Sequence, residues 1–181
     1  EERAGAIYDA MEKKGIAGKV KIACSLRANL VTENLCKILK KIRVVTVNFG
    51  FESGSDRILQ YLKAESVTVE QNKNAVLLCK KYGFDVTGSF MIASPGEKKE
   101  DMRKTLELME WMKKQGAIEI WCGVTKPYPG TQMWEYGIKN RIIDKNFNWD
   151  LVDPSYVHNP VFLDKNISKK EFLKIFKEAK Y

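Results

Sequence analysis

The run V-V-T-V-N-F-G-F-E-S, from Val44 to Ser53, has opposite chemistry on its two sides when it is extended. Side chains alternate along a strand, so Val45, Val47, Phe49 and Phe51 share one face while Thr46, Asn48, Gly50 and Glu52 share the other. An ordinary barrel strand places bulky aliphatic residues on both faces. Here one row can only bury against helices, and the other offers polar groups, a glycine and a carboxylate to something enclosed. The pattern predicts a strand that lines a ligand chamber.

Three further segments repeat it. In Val20 to Arg27 the outer row is Val20, Ile22, Cys24 and Leu26, against an inner row of Lys21, Ala23, Ser25 and Arg27. In Val86 to Ala93 the outer row is Val86, Gly88, Phe90 and Ile92, opposite Thr87, Ser89, Met91 and Ala93. In Ile118 to Thr125 it is Ile118, Ile120, Cys122 and Val124, opposite Glu119, Trp121, Gly123 and Thr125, and both of these rows hold apolar residues.

Between the strands the period becomes helical. Thr32 can cap a helix carrying Leu35, Ile38 and Leu39, and Ser55 or Asp56 starts a short one with Ile58, Leu59 and Leu62. Thr68-x-x-Gln71 is a capping box for a helix that buries Ala75, Leu78, Cys79 and Tyr82 and stops at Gly83. Another runs from about Glu100, with Met102, Leu106, Met109 and Met112 inward and Gly116 at its end. Helices alternating with strands imply an α/β fold with a parallel sheet. The expectation is a partial TIM-type (β/α) barrel of about four parallel strands with outer helices.

The chain begins at Glu1, and residues 3 to 14 read as a helix with Ile7 and Met11 inward, stopped at Gly15. A parallel βα protein is expected to open on a strand, so the reading is of a barrel truncated at its N-terminus. Four strands are too few to close a barrel of about eight. Unpaired edges would remain, and self-association through them is expected. Residues 1–140 are assigned to the barrel portion and 141–181 to a C-terminal extension with a terminal helix.

Composition adds bounds. At 181 residues the chain can bury one domain's core, and no apolar run reaches the length of a membrane span. Cys24, Cys36, Cys79 and Cys122 form no close pair, which suits a reducing compartment such as the cytoplasm, and they supply no expected metal site. The single histidine, His158, lies in the tail and reads as a loop residue rather than a catalytic base. The net charge of +8 comes from lysines spread over helix surfaces and interspersed with acids. That is the pattern of solvated helix faces, so neither nucleic acid nor membrane is an expected partner.

Several motifs in order carry a family resemblance. F-G-F-E-S-G-S-D-R-I-L at 49–59, T-V-E-Q at 68–71, G-S-F-M-I-A-S-P-G-E at 88–97, the helix around Thr105, and P-Y-P-G-T at 127–131 together resemble the middle of a radical S-adenosylmethionine (SAM) enzyme. The resemblance covers roughly residues 3 to 140 and is greatest to the subgroup with an upstream cobalamin-binding domain. The tail, with Asn148-Trp149-Asp150 and a helix capped by Ser168-x-x-Glu171, is similar to the segment after the barrel in that subgroup.

The resemblance implies an iron–sulfur oxidoreductase or transferase. Members hold a [4Fe–4S] cluster through C-x-x-x-C-x-x-C and cleave SAM to a 5′-deoxyadenosyl radical for C–H activation or methyl transfer. An electron-donor protein and a small-molecule substrate are implied partners, and cobalamin a further cofactor through an upstream domain. The three-cysteine motif and the G-G-E-like run that binds the methionine amine do not occur in this sequence. The chain alone is therefore expected to be inactive, its cluster ligands lying elsewhere.

Carried over by position, Glu52 matches the family's polar residue near the SAM ribose and methionine; an ion pair with Arg27 is the alternative use of it. Ser25 and Arg27 fall where the preceding strand gives polar contacts to SAM, and Lys63 where relatives place a base for the methionine carboxylate, an exposed lysine being the plainer reading. Ser89, Met91 and Ala93 match the strand that passes adenine and ribose, with glycine usual in relatives at Ala93. Tyr128, in a proline turn at the mouth of the last strand, is a candidate for closing the site. The competing reading is a SAM-binding or scaffolding module without catalysis; an RNA-modifying member is a third, favoured by charge alone.

Overall fold

The computed structural model describes residues 1–63, 67–153, 155 and 157–179. Its centre is one open sheet of four strands, β1 (Ile22–Leu26), β2 (Val44–Glu52), β3 (Asp85–Ile92) and β4 (Glu119–Val124), in sequence order and all parallel. The helices are α1 (Glu2–Lys13), α2 (Glu33–Ile42), α3 (Asp56–Lys63), α4 (Val69–Lys81), α5 (Lys99–Lys114), α6 (Gln132–Lys139) and α7 (Lys169–Ala179). This is the α/β arrangement of four parallel strands that the alternating pattern implied.

One row of each strand faces the helices. Val47, Phe49 and Phe51 of β2 join Val86 and Phe90 of β3 in a core that also takes Leu35 and Leu39 of α2, Ala75 and Val76 of α4, and Met109 and Met112 of α5. The rings of Phe49 and Phe51 stack at 5.1 Å, and Phe51 meets Phe90 at 5.6 Å. Gly88 makes room for this: a Cβ there would lie 2.5 Å from the Phe51 ring. The other row stays open, with Ser25, Ser89 and Trp121 all exposed.

Three outer-row assignments need correction. Val45 is not buried with Val47; Val44 is. The register explains it, since Ile22 pairs with Val44 and Ala23 with Thr46, so Val45 is the extra residue of a bulge. Ile118 and Val20 are exposed because β4 and β1 begin after them, and Ile118 contributes only its amide, bonded to the Val86 carbonyl at 2.9 Å. In α1 Met11 is buried but Ile7 is exposed, on a groove of about 840 Å³ between that helix and the β1 side of the sheet.

The caps form as their sequences suggest. Thr32 Oγ1 accepts the Leu35 amide at 3.0 Å, and Thr68 and Gln71 exchange bonds of 3.2 and 2.9 Å. Ser168 and Glu171 do the same before α7. That helix packs Phe172, Ile175 and Phe176 against Ile92, Ala93, Met102 and Val124, so the tail covers the carboxyl ends of β3 and β4.

Candidate functional site

Ligand loops in parallel α/β folds gather at the carboxyl ends of the strands, and here two strand ends carry unusual backbone. Glu52, last in β2, has φ 67°, and the Ser53 amide bonds back to the Phe51 carbonyl at 2.9 Å, closing a three-residue turn over it. Its side chain folds over Gly50, where an added Cβ would collide with Glu52 Oε1. Lys63 Nζ donates to the Gly50 carbonyl at 2.7 Å and stands 3.5 Å from Glu52 Oε1. The ion pair of Glu52 is thus with Lys63 and not with Arg27. Nor is Lys63 an exposed lysine: its side chain is 17% exposed, because α3 returns it beneath the strand end.

Ala93 follows β3 and has φ 59° while fully buried. The turn after it is held from inside. Glu97 Oε2 accepts the Ser94 amide at 2.8 Å, the Glu97 amide donates to the Ser94 carbonyl at 3.0 Å, and the Ser94 and Thr125 hydroxyls bond at 2.8 Å. Burial pushes the Glu97 carboxyl up to about 8, against the opposing pull of the Ser94 amide. Its Oε1 has no hydrogen-bond partner among the described residues.

The open face offers two recesses. A pocket of about 460 Å³ is lined by Tyr61 and Leu62 of α3, Met91 of β3, Lys126 and Tyr128 after β4, and Met133 of α6. Lys126 is 8% exposed, and burial lowers its pKa while Asp153 opposes the shift. The Tyr128 hydroxyl donates to the Val152 carbonyl at 3.2 Å, tying this loop to the tail. A smaller groove of about 190 Å³ runs along the inner row past Ser25, Gly50, Ser89 and Trp121.

The residues expected at the site therefore fall into three neighbouring places. Glu52 and Lys63 meet at the end of β2; Met91 and Tyr128 share the larger pocket; Ser25 and Ser89 line the inner groove. Ala93 is instead packed in the core beneath α7, with no surface to offer a cofactor. Arg27 is exposed and borders the wide groove along β1 together with Ser25. Lys126, Glu97 and Asp101 carried no expectation. The acids stand inside or just after the quoted S-P-G-E run, yet only burial makes them informative.

The donor sets test which cofactors suit the chain. SAM carries an ammonium, a carboxylate, ribose hydroxyls and a flat base. A half-buried carboxylate–ammonium pair beside a pocket walled by Met91, Tyr61 and Tyr128 fits that inventory. The cysteines do not fit a cluster. Cys36 and Cys79 are buried in the core, and burial, then the neighbouring Cys36, pushes the Cys79 thiol up to about 12. Burial likewise takes Cys122 to about 12. Cluster ligands are thiolates, and no metal-holding group of His, Cys, Asp or Glu occurs among the described residues.

The family model described as the radical SAM superfamily matches residues 2–109, more than half of the chain. The chain belongs to the radical SAM superfamily. This radical SAM chain is 32% identical over 155 residues to an uncharacterized methyltransferase of Pyrococcus horikoshii, a match covering 86% of the chain and 32% of that protein. It is 28% identical over 128 residues to a putative methylthiotransferase of Methanocaldococcus jannaschii, covering 70% of the chain and 28% of that relative. It thus spans about a third or less of the curated relatives it matches. Among solved structures, the radical SAM methyltransferase TsrM of Kitasatospora setae, determined with cobalamin and a [4Fe–4S] cluster, superposes with a TM-score of 0.66 at 15% identity over 96% of this chain and 34% of that one. That likeness is one of fold.

Proposed function

We propose that this radical SAM chain forms the SAM-holding side of an enzyme that transfers a methyl or related group, with Glu52 and Lys63 as its polar anchor. The observation that carries the reading is their pairing at the end of β2, where a non-glycine residue is held at φ 67°. Strained backbone of this kind persists where the surroundings over-determine it, and it clusters at ligand sites. Bound SAM would supply an activated methyl or adenosyl group.

This chain's residues orient and enclose. Glu52 accepts from an ammonium or from ribose hydroxyls, and Lys63 and Arg27 offer cations to a carboxylate. Met91 would meet the adenosyl moiety from the wall of the larger pocket and Ser89 and Ser25 from the inner groove, and Tyr128, fastened to Val152, would restrict water at the mouth. Ala93, with no exposed surface, shapes the turn at the strand end rather than touching the ligand. The names of the relatives, methyltransferase and methylthiotransferase, support group transfer as the reaction class. Iron–sulfur and cobalamin binding belong to parts of the intact protein other than the residues described.

The test is calorimetric titration with S-adenosylhomocysteine, which has the adenosyl and amino-acid ends without the reactive sulfonium. Micromolar binding that falls about tenfold or more in Glu52→Gln is the expected result. No binding by the unaltered protein overturns the reading. Binding by an intact protein that shows no reductive SAM cleavage after cluster reconstitution would leave a binding module without catalysis.

A further inference from the structure

The two strand ends with left-handed backbone are joined by one polar assembly, buried at Ser53, Ser55, Asp101 and Thr105 and open to solvent at Arg57. Asp101, in the first turn of α5, is 6% exposed. Its Oδ1 accepts the Ser55 hydroxyl at 2.7 Å; its Oδ2 accepts the Lys98 amide at 2.9 Å and the Arg57 guanidinium. Arg57 also donates to the Gly96 carbonyl at 3.0 Å. One helical turn on, Thr105 Oγ1 donates to the Asp101 carbonyl at 3.1 Å, accepts the Gly54 amide at 2.9 Å and lies 3.2 Å from the Ser53 hydroxyl. Ser53 and Thr105 are fully buried. Gly54 sits against the helix backbone so closely that a Cβ would lie 2.7 Å from Thr105 Cα.

We infer that Asp101 is a positioning residue for the adenosyl side of the site, fixing the spacing between the turn that carries Glu52 and the turn that carries Ala93. Residues 53–57 follow Glu52 directly and residues 94–98 follow Ala93 directly, and Asp101 bonds to both segments. It makes no bond to Glu52 or Ala93 themselves, so its action passes through their neighbours. A helix-capping acid of ordinary type would satisfy only amides of its own first turn. Here Oδ2 takes such an amide and the Arg57 guanidinium as well, while Oδ1 serves Ser55 of a different loop. Glu97 completes the second turn by holding the Ser94 amide. The inference rests on the SAM reading of the site.

The experiment combines two readouts on the protein and on the variants Asp101→Ala, Asp101→Asn and Arg57→Ala. The first is the dissociation constant for S-adenosylhomocysteine. The second is amide hydrogen exchange, segment by segment. Asp101→Ala is expected to weaken binding about tenfold, as loss of charged hydrogen bonds implies, and to accelerate exchange at 52–57 and 93–98 together while β2 and β3 stay protected. Asp101→Asn keeps an acceptor for Ser55 and should regain part of both effects. Arg57→Ala, whose guanidinium is half exposed, should fold and release 93–98 more than 52–57. Unchanged binding in the variants, or exchange that rises evenly over the sheet, overturns the inference. Should Asp101→Ala fail to fold, the Arg57 variant alone decides. Failure of the unaltered protein to bind the probe refutes the SAM reading instead, and the two outcomes are told apart in one series.

Discussion

Left-handed backbone costs a non-glycine residue about 1–2 kcal/mol, and Ala93 bears that cost at φ 59° while its methyl is fully buried. Ala93→Gly removes the strain but also a buried methyl worth about 0.8 kcal/mol, so its stability in urea should stay within about 1 kcal/mol of the parent. Ala93→Val, branched at Cβ, should lose about 2 kcal/mol or more. Glu97 makes a different prediction, through pH. Its folded carboxyl titrates at about 8 against an ordinary 4.5, so the folded state holds a proton that the unfolded chain has released. Stability then falls as pH rises through that window, by about 1.4 kcal/mol per unit at most. Glu97→Gln should flatten the decline of Tm between pH 5 and 8; an unchanged slope would show that Glu97 ionises normally. At this scale strand alternation set Glu52 on the inner row, and its place in the F-G-F-E-S run of the family resemblance gave it a role. Its partner was not legible, because only the path of α3 decides that Lys63 and not Arg27 reaches it.

Element by element, hydrophobic rows and caps were readable because they are local: Thr32, Thr68 and Ser168 each bond within three residues. What escaped depends on register between strands. The bulge at Val45 exchanges its burial with that of Val44, and no single-strand pattern contains the Ile22 and Ala23 pairings that create it. The tie between α5 and the loop after β2 was hidden for the same reason. Thr105 occupies a buried position on that helix, and its hydroxyl is the acceptor for Gly54 N–H across 51 residues of chain. Thr105→Val preserves shape and leaves that amide and the Ser53 hydroxyl short of a partner. The expected loss is about 1–3 kcal/mol, seen as a lower denaturation midpoint with an unchanged m-value. Thr68→Ala, at an exposed cap, should lose only about 1 kcal/mol.

For the molecule as a whole, the sheet sets the behaviour. Strand order β1-β2-β3-β4 leaves β1 and β4 each paired on one side only, and apolar side chains stand beside both: Leu30 is 57% exposed and Ile118 59%. Exposed strand edges flanked by apolar groups recruit further strands, and a lysine placed there opposes it. The 181-residue chain should therefore show a weight-average mass that climbs with concentration in sedimentation equilibrium. Ile118→Lys should reduce the climb without lowering Tm, because that side chain is already in water. A strictly monomeric chain at every concentration would mean that the edges are blunted by their own twist or by the neighbouring loops. The net charge of +8 acts against association at low salt. Raising ionic strength should thus strengthen self-pairing through the edges, whereas association driven by surface ion pairs such as Lys81–Glu33 would weaken. The sign of the salt effect identifies which surface is responsible.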